Sequence, residues 1–433
     1  MKYFSITLLL ILNTLRTISQ QANVELKSLI NRSFTYYAQF KELNQAAETA
    51  NDRITLAESE QLPIISANGM YSYTNPISEI EIPSGNGISK LKKIAPANSI
   101  RTGLNANYVL YDFGRIKANV DRARQDLQFA KDNINYNKSQ MAYLVSVIYY
   151  QIIYLRKSIA IQDSVINFLD ANKNDTKIKL SHGDALIYDV LSIQSQIDLE
   201  HNRKIDLENA LYKQYNLLEY TTGKRQTDQS VAFDFLLISD SLNDQTYLTN
   251  AQTNNWDFKL SNDKIRQSEA DLKISRTLGK PFVSLSAGTG YANGYLPNLN
   301  TFTNNYAAGA SLNIPLYMGG RARKQVMVSK SELRQAELGY ETLTSSFLKD
   351  IRQALTDQKS NSHSLINARE QVAVAKEAQR LSQSRYKNGI GTNLELTNAS
   401  TNVQRAELSI LQYEFQLCLA NLELARLTGI VYW

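Results

Sequence analysis

The chain has 433 residues, 43% of them hydrophobic and 20% charged, with only 7 prolines, a balance that excludes a disordered chain, a collagen-like one and a polytopic bundle of membrane helices. Its 47 basic and 41 acidic side chains leave a formal charge of +6, and the bases are dispersed among acids rather than gathered in a patch, so nothing points to nucleic acid. The single cysteine, Cys418, sits among Leu417, Leu419 and Leu422, where it reads as a small buried hydrophobe on a helix.

Met1 and Lys2 precede a mostly apolar run over 3–12 and a polar stretch over 13–21. That layout predicts a cleaved export signal over 1–21, with an apolar core too short to span a bilayer. No later window holds the roughly 18 consecutive apolar residues of a membrane helix. An exported chain of this kind is secreted, free in an envelope compartment, or inserted as strands. The elements expected after the signal are an N-terminal helix over 22–61, a β-strand pair over 62–113 and a long helical hairpin over 114–222. They continue with an equatorial connection over 223–248, a helix over 249–278, a second strand pair over 279–318 and a second long hairpin with the C-terminus over 319–433.

This order is a repeat. Leu110-Tyr111-Asp112-Phe113-Gly114-Arg115 aligns with Leu316-Tyr317-Met318-Gly319-Gly320-Arg321 at an offset of 206 residues. The same offset pairs Gly183 with Gly389, each in a short polar turn, and Thr222-Gly223 with Thr428-Gly429. The strand openings at Pro63 and Pro281 pair at 218 because the first half carries the longer loop. Repeats of this size set the architecture before any single element does.

The long helices are expected over about 115–180 and 321–386. In the first, apolar residues step by three and four through Met141, Leu144, Ile148, Ile152, Leu155 and Ile159, the seam of a helix packed along its length. At about 1.5 Å per residue such a rod is about 100 Å long. The strands differ. From Ser99 to Leu110 the even positions are apolar or small and the odd ones include Ser99, Arg101, Asn105 and Asn107, and 306–316 alternates in the same way. Each strand has about the length that crosses a bilayer when tilted, with tyrosines near the ends like an aromatic girdle. A half-buried strand in a soluble sandwich alternates in the same way.

Four strands cannot close a membrane barrel, and an open edge in lipid leaves backbone groups unsatisfied at several kcal/mol each. The chain is therefore expected to share a barrel with copies of itself. Two copies give eight strands with a filled interior; three give twelve strands and a lumen lined by the polar face.

The Pro63 and Pro281 openings, the turns at Gly114 and at Gly319-Gly320, and Tyr386-Lys387-Asn388-Gly389-Ile390-Gly391-Thr392 together resemble the outer membrane efflux protein family, the TolC-like ducts. The likeness covers almost the whole chain beyond the signal. It implies a mainly α fold with a transmembrane β-barrel: long antiparallel helical hairpins forming a periplasmic tunnel, and four strands per protomer completing a twelve-stranded trimeric barrel. It further implies a homotrimer in the outer membrane, contacting its lipids, and a passive exit duct recruited by a periplasmic adaptor and energised by an inner-membrane transporter. The hairpin tips at Gly183 and Gly389 would form the entrance and the adaptor's docking surface. The entrance would involve Tyr386, Gly391, Thr392, Glu395 and Asn398 in the second half and Asp189 in the first. Repeated by three-fold symmetry, Asp189 and Glu395 would make rings of negative charge that hold cations. Acids favoured at a helix start by the dipole are the plainer reading of the same two residues. Two departures stand out: the family's second acid is Asn398 here, and a position basic in the best-known member is Gly391.

No enzyme motif appears. His182, His201 and His363 lie far apart without metal-ligand spacing, and Gly85-Asn86-Gly87 and Gly288-Thr289-Gly290 lack the helix and Lys-Ser/Thr of a phosphate cradle. No cofactor or metal is implied. The rival to a channel is a structural coiled-coil envelope protein or adhesin that uses the rods alone.

Overall fold

A computed structural model describes residues 24–84, 88–225 and 243–433. The expected export signal over 1–21 and the middle of the expected connection over 223–248 lie outside the described residues. The chain divides into two compact units, one of 1–45, 131–261 and 339–433, the other of 46–130 and 262–338.

The helices are α1 Val24–Tyr36, α2 Ala38–Ser59, α3 Arg115–His182, α4 Ile187–Thr222, α5 Asp244–Asn254, α6 Trp256–Thr277, α7 Arg321–Lys387 and α8 Asn393–Thr428. The stretch expected as one helix over 22–61 comes as two. At Tyr37 the ladder tightens, the Phe40 N–H donating to the Tyr37 carbonyl at 3.1 Å, and Ser33 Oγ bonds back to the Ile30 carbonyl at 2.6 Å, a local bond that bends helices. The rods α3 and α7 run for 68 and 67 residues. Neither contains a proline and α7 has a single glycine, Gly339, so nothing interrupts the ladder.

The core of the first unit gathers Tyr149, Tyr150 and Ile153 of α3, Leu218 of α4, and Cys418 and Leu422 of α8, with Leu26 and Ile30 of α1. Cys418 is fully buried and forms no disulfide. The seam expected along α3 shifts in one respect: Leu144 is 41% exposed, while Ala142, Val145, Tyr149 and Ile153 beside the expected row are buried. A helix with neighbours on two sides buries a wider stripe than a two-stranded seam does. An 18-residue window of α3 reaches a mean hydropathy of 1.3, and half of it lies buried in the protein. A second cluster joins Tyr247, Leu248 and Phe258 to Phe347, Ile351 and Leu427.

The second unit holds the strands β1 Ile64–Tyr73, β2 Glu79–Ser84, β3 Ile88–Lys93, β4 Asn98–Tyr111, β5 Phe282–Ala292 and β6 Thr303–Asn313. Four form one antiparallel sheet in the order β1-β4-β5-β6. The other two pair as a small hairpin inside the longer loop of the first half, with Glu79 opposite Lys93. The alternation Glu79-Ile80-Glu81-Ile82 marks this hairpin in the sequence, and it adds two strands to the pair expected over 62–113.

Register sorts the sheet into two faces. Ile65, Ala106, Ala287 and Ala308 lie in one row and Ala67, Leu104, Thr289 and Tyr306 in the next, all on the apolar face. The opposite face carries Asn68 and Asn105, whose amides bond at 2.6 Å, and Ser284 and Ser311, whose hydroxyls bond at 2.8 Å. Both faces are open: Ile65, Leu104, Tyr306 and Leu312 are exposed on the apolar face, Asn68 and Asn105 on the other. Period two assigned Leu110 to the apolar face, but the register jumps between Val109 and Tyr111. The bulge takes Leu110 out of pairing and sets Tyr111 opposite Val283.

Glycines on the polar face let β4 and β5 approach closely. A Cβ at Gly290 would stand 2.1 Å from the Thr102 carbonyl oxygen, and one at Gly103 2.8 Å from that of Thr289. Close backbone approach and missing side chains on one face are the means by which a sheet curls toward that face.

Candidate functional site: hairpin tips and their latches

Both long hairpins turn with one geometry. After α3, Gly183 has φ +87° and the Asp184 N–H donates to the Lys179 carbonyl at 2.9 Å. After α7, Gly389 has φ +73° and the Ile390 N–H donates to the Arg385 carbonyl at 3.0 Å. Each is a left-handed glycine cap that satisfies the last carbonyls of a helix, which is why glycine stands at both positions.

The returning helices begin with two complementary halves of one device. Leu186 and Thr392 occupy the same position before α4 and α8, and Asp189 and Glu395 both stand three residues later. In α4 the Asp189 carboxylate reaches back and accepts the Leu186 N–H at 3.0 Å. In α8 the Thr392 hydroxyl accepts the Glu395 N–H at 3.2 Å. A full capping box would make both bonds at once. The consequence is chemical: Asp189 spends its carboxylate on its own helix, whereas the Glu395 carboxylate is left to face Arg385 at 3.8 Å. Gly391 sits between them, and a Cβ there would stand 3.0 Å from Arg385 Cβ and 3.2 Å from Glu395 Oε2. A side chain at 391 would have to displace that pair.

Tyr386 is buried, and α3 holds it from three directions. The Thr176 and Tyr386 hydroxyls bond at 2.9 Å. Lys179 Nζ donates to the Tyr386 carbonyl at 2.7 Å and lies 3.7 Å from the centre of its ring. One turn and more away, Asn172 Nδ2 donates to Asn393 Oδ1 at 2.7 Å. The end of the first rod thus clasps the turn of the second. Thr176, Lys179 and Asn172 were not found from the sequence, since partners 210, 207 and 221 residues apart leave no spacing to read.

Asn398 lies apart from this clasp, on the wall of an open groove of about 1520 Å³ shared by α3, α4 and α8. A buried carboxylate forms its floor. Glu200 Oε2 accepts from Gln162 at 2.6 Å and from Gln404 at 3.1 Å, and Glu200 Oε1 accepts from Arg203 at 2.5 Å. Burying a charge is tolerated only with its hydrogen bonds complete, so this network ties Gln404 of the second hairpin to the first. Large apolar side chains are exposed around both tips: Leu186, Ile187, Tyr188 and Leu191 at one, Ile390 and Leu394 at the other.

The strand-to-helix turns also correspond. Phe113 and Gly114 have φ +55° and +88°, Gly319 and Gly320 +63° and +74°. Asp112 caps α3, accepting the Gly114 and Ile116 N–H groups at 2.9 and 2.6 Å. Met318 stands where Asp112 would be in the second half and offers no such cap. Pro63 and Pro281 stand just ahead of β1 and β5. Among the described residues no group of His, Cys, Asp and Glu is placed to hold a metal ion.

Paired hairpins at one offset, with a four-stranded sheet open at both edges among the described residues, define the subunit fold of an outer-membrane channel. Residues 35–224 and 247–430 match the family described as Outer membrane efflux protein, and the chain belongs to it. It is 22% identical over 354 residues to the outer membrane efflux protein BepC of Brucella suis, covering 77% of this chain and 74% of that one. It is 21% identical to the outer membrane protein TolC of Vibrio cholerae over 89% of each chain. A crystal structure of a membrane protein from Pseudomonas aeruginosa shares the fold with a TM-score of 0.79 at 17% identity, over 95% of both chains.

Proposed function

We propose that this chain is one subunit of a trimeric exit duct, its twelve strands closed in the outer membrane and its helical hairpins forming a tunnel in the periplasm. The observation that carries this reading is the sheet itself. Among the described residues β1 and β6 have no partner on their outer sides, and the apolar face carries exposed side chains such as Ile65, Leu104 and Tyr306. In lipid such edges must pair, and only copies of the same sheet supply matching strands. The duct is passive in this reading, as the family resemblance implies, and the sequence carries no phosphate-cradle motif. An inner-membrane transporter drives it through a periplasmic adaptor, for which the exposed apolar side chains around Gly183 and Gly389 are the docking surface. The clasp of Tyr386 by Thr176 and Lys179 holds the entrance closed, with Glu395 as the acid that faces the passage.

The test is extraction. Membrane fractionation followed by mass determination in detergent is expected to give an outer-membrane trimer. A soluble monomer, stable without detergent, would instead favour the structural rod protein.

A further inference from the structure

Arg101 is the sole charged residue of the four sheet strands; β1, β4, β5 and β6 otherwise contain no Lys, Asp, Glu or His. Register puts it opposite Met70 and Ala292, on the face of Asn68 and Asn105. It is exposed, near the end of β4 remote from the helix that follows at Arg115.

Among the described residues no acidic side chain lines the hollow around it; the acids of the connection between β1 and β4, Glu79 and Glu81, lie in the β2–β3 hairpin with Lys90, Lys92 and Lys93. Next to it on that face are Gly103 and Gly290, which have no side chains, and the polar groups nearby are neutral: Ser99, Asn105 and Asn305 line the same hollow of about 530 Å³. The connection over 293–302 carries no charge. The frame is nonetheless well defined: Asn293 accepts the Ile100 N–H at 2.8 Å and donates to the Asn98 carbonyl at 2.7 Å, so the backbone flanking Arg101 is pinned from the neighbouring strand.

We infer that Arg101 forms a basic ring near the outer mouth of the duct, a site that draws anions and biases the exit toward anionic cargo. This rests on the trimeric reading above, which turns one arginine into three around a common lumen. Twelve strands spaced about 4.8 Å and tilted about 40° close a backbone cylinder of roughly 12 Å radius. The Debye length is about 8 Å in physiological salt and about 30 Å at 0.01 M. The ring's field therefore fills the lumen in dilute salt and retreats toward the wall in concentrated salt. Guanidinium also binds phosphate and carboxylate in a two-pronged manner that a lysine cannot reproduce.

The experiment is reversal potential in a KCl gradient across a planar bilayer, with block by inositol hexakisphosphate added on the outer side. Arg101→Gln is expected to lower the chloride-to-potassium permeability ratio at least about twofold and to weaken polyanion block about tenfold, both effects growing as salt is diluted. Arg101→Lys is expected to keep the permeability ratio and lose only part of the block. A channel of normal conductance in which Arg101→Gln changes neither quantity overturns the ring. Absence of any channel from the wild-type trimer would overturn the duct reading, and the ring with it.

Discussion

The two halves of the chain share a backbone plan at an offset of 206 residues, yet they satisfy it with different side chains. The left-handed glycine that ends α4 packs on a ring: a Cβ on Gly223 would lie 2.4 Å from a Tyr36 ring carbon. The one that ends α8 packs on main chain: a Cβ on Gly429 would lie 2.7 Å from the Asn254 carbonyl carbon. Arg32 bonds the Thr222 carbonyl at 2.8 Å in the first half, whereas the amide of Asn255 bonds both the Arg426 and Leu427 carbonyls at 2.9 Å in the second. Close to that second end, Arg426 and Glu423 pair at 2.5 Å, and Tyr143 is pushed up to about 12 by burial and by Glu423. The positions that correspond to Glu423 and Arg426 are Leu217 and Tyr220, and Tyr220 instead meets Tyr37 edge to face at 5.4 Å. A repeat thus preserves where the backbone must be satisfied and leaves open which group does it. The second half uses the more rigid solutions and also receives the clasp on Tyr386.

The largest contrast is expected at the helix ends. Gly429→Ala, blocked by backbone, should cost about 3 kcal/mol or more, and Gly223→Ala, blocked by a ring at the surface, about 1 kcal/mol. Denaturation of the detergent-solubilised protein followed by circular dichroism measures both; equal costs would break the comparison. The strand-to-helix turns come next. Asp112→Ala should lose about 1 kcal/mol of cap, and Met318→Asp should recover a similar amount in the half that lacks one. Phe113→Gly, relieving a left-handed residue, is expected to stabilise by about 0.5–1 kcal/mol in the same assay.

The entrance acids should separate more subtly. Because Asp189 is bound to its own helix start and Glu395 is not, Glu395→Gln is expected to weaken block by multivalent cations several-fold, while Asp189→Asn acts mainly on stability, by about 0.5–1 kcal/mol. Equal effects on block would assign both acids to the passage. The smallest effect is in alkali. A tyrosine whose folded value lies above its unfolded value near 10 contributes stability that is complete below pH 10 and lost as pH rises toward 12. Tyr143 is in that position, and Tyr143→Phe should flatten the decline between those two values in a pH series of melting temperatures.

Much of the architecture could be read directly because it depends on local chemistry repeated along the chain. The glycines at 114, 183, 319, 320 and 389 mark turns that need positive φ, a requirement only glycine meets without strain. Alternation in 99–110 and steps of three and four in 141–155 follow from the geometry of strand and helix. What the chain could not reveal by itself are choices among partners distant in sequence. The bulge that removes Leu110 from its face, the row of α3 that turns inward in place of Leu144, and the joining of Glu200 to Gln404 each depend on which element comes to lie alongside. So does the division of labour between Asp189 and Glu395: the two acids occupy the same place in the pattern. The leucine before one and the threonine before the other stand in the sequence, but only the folded chain sets Arg385 beside Glu395 and turns Asp189 back onto its own helix start.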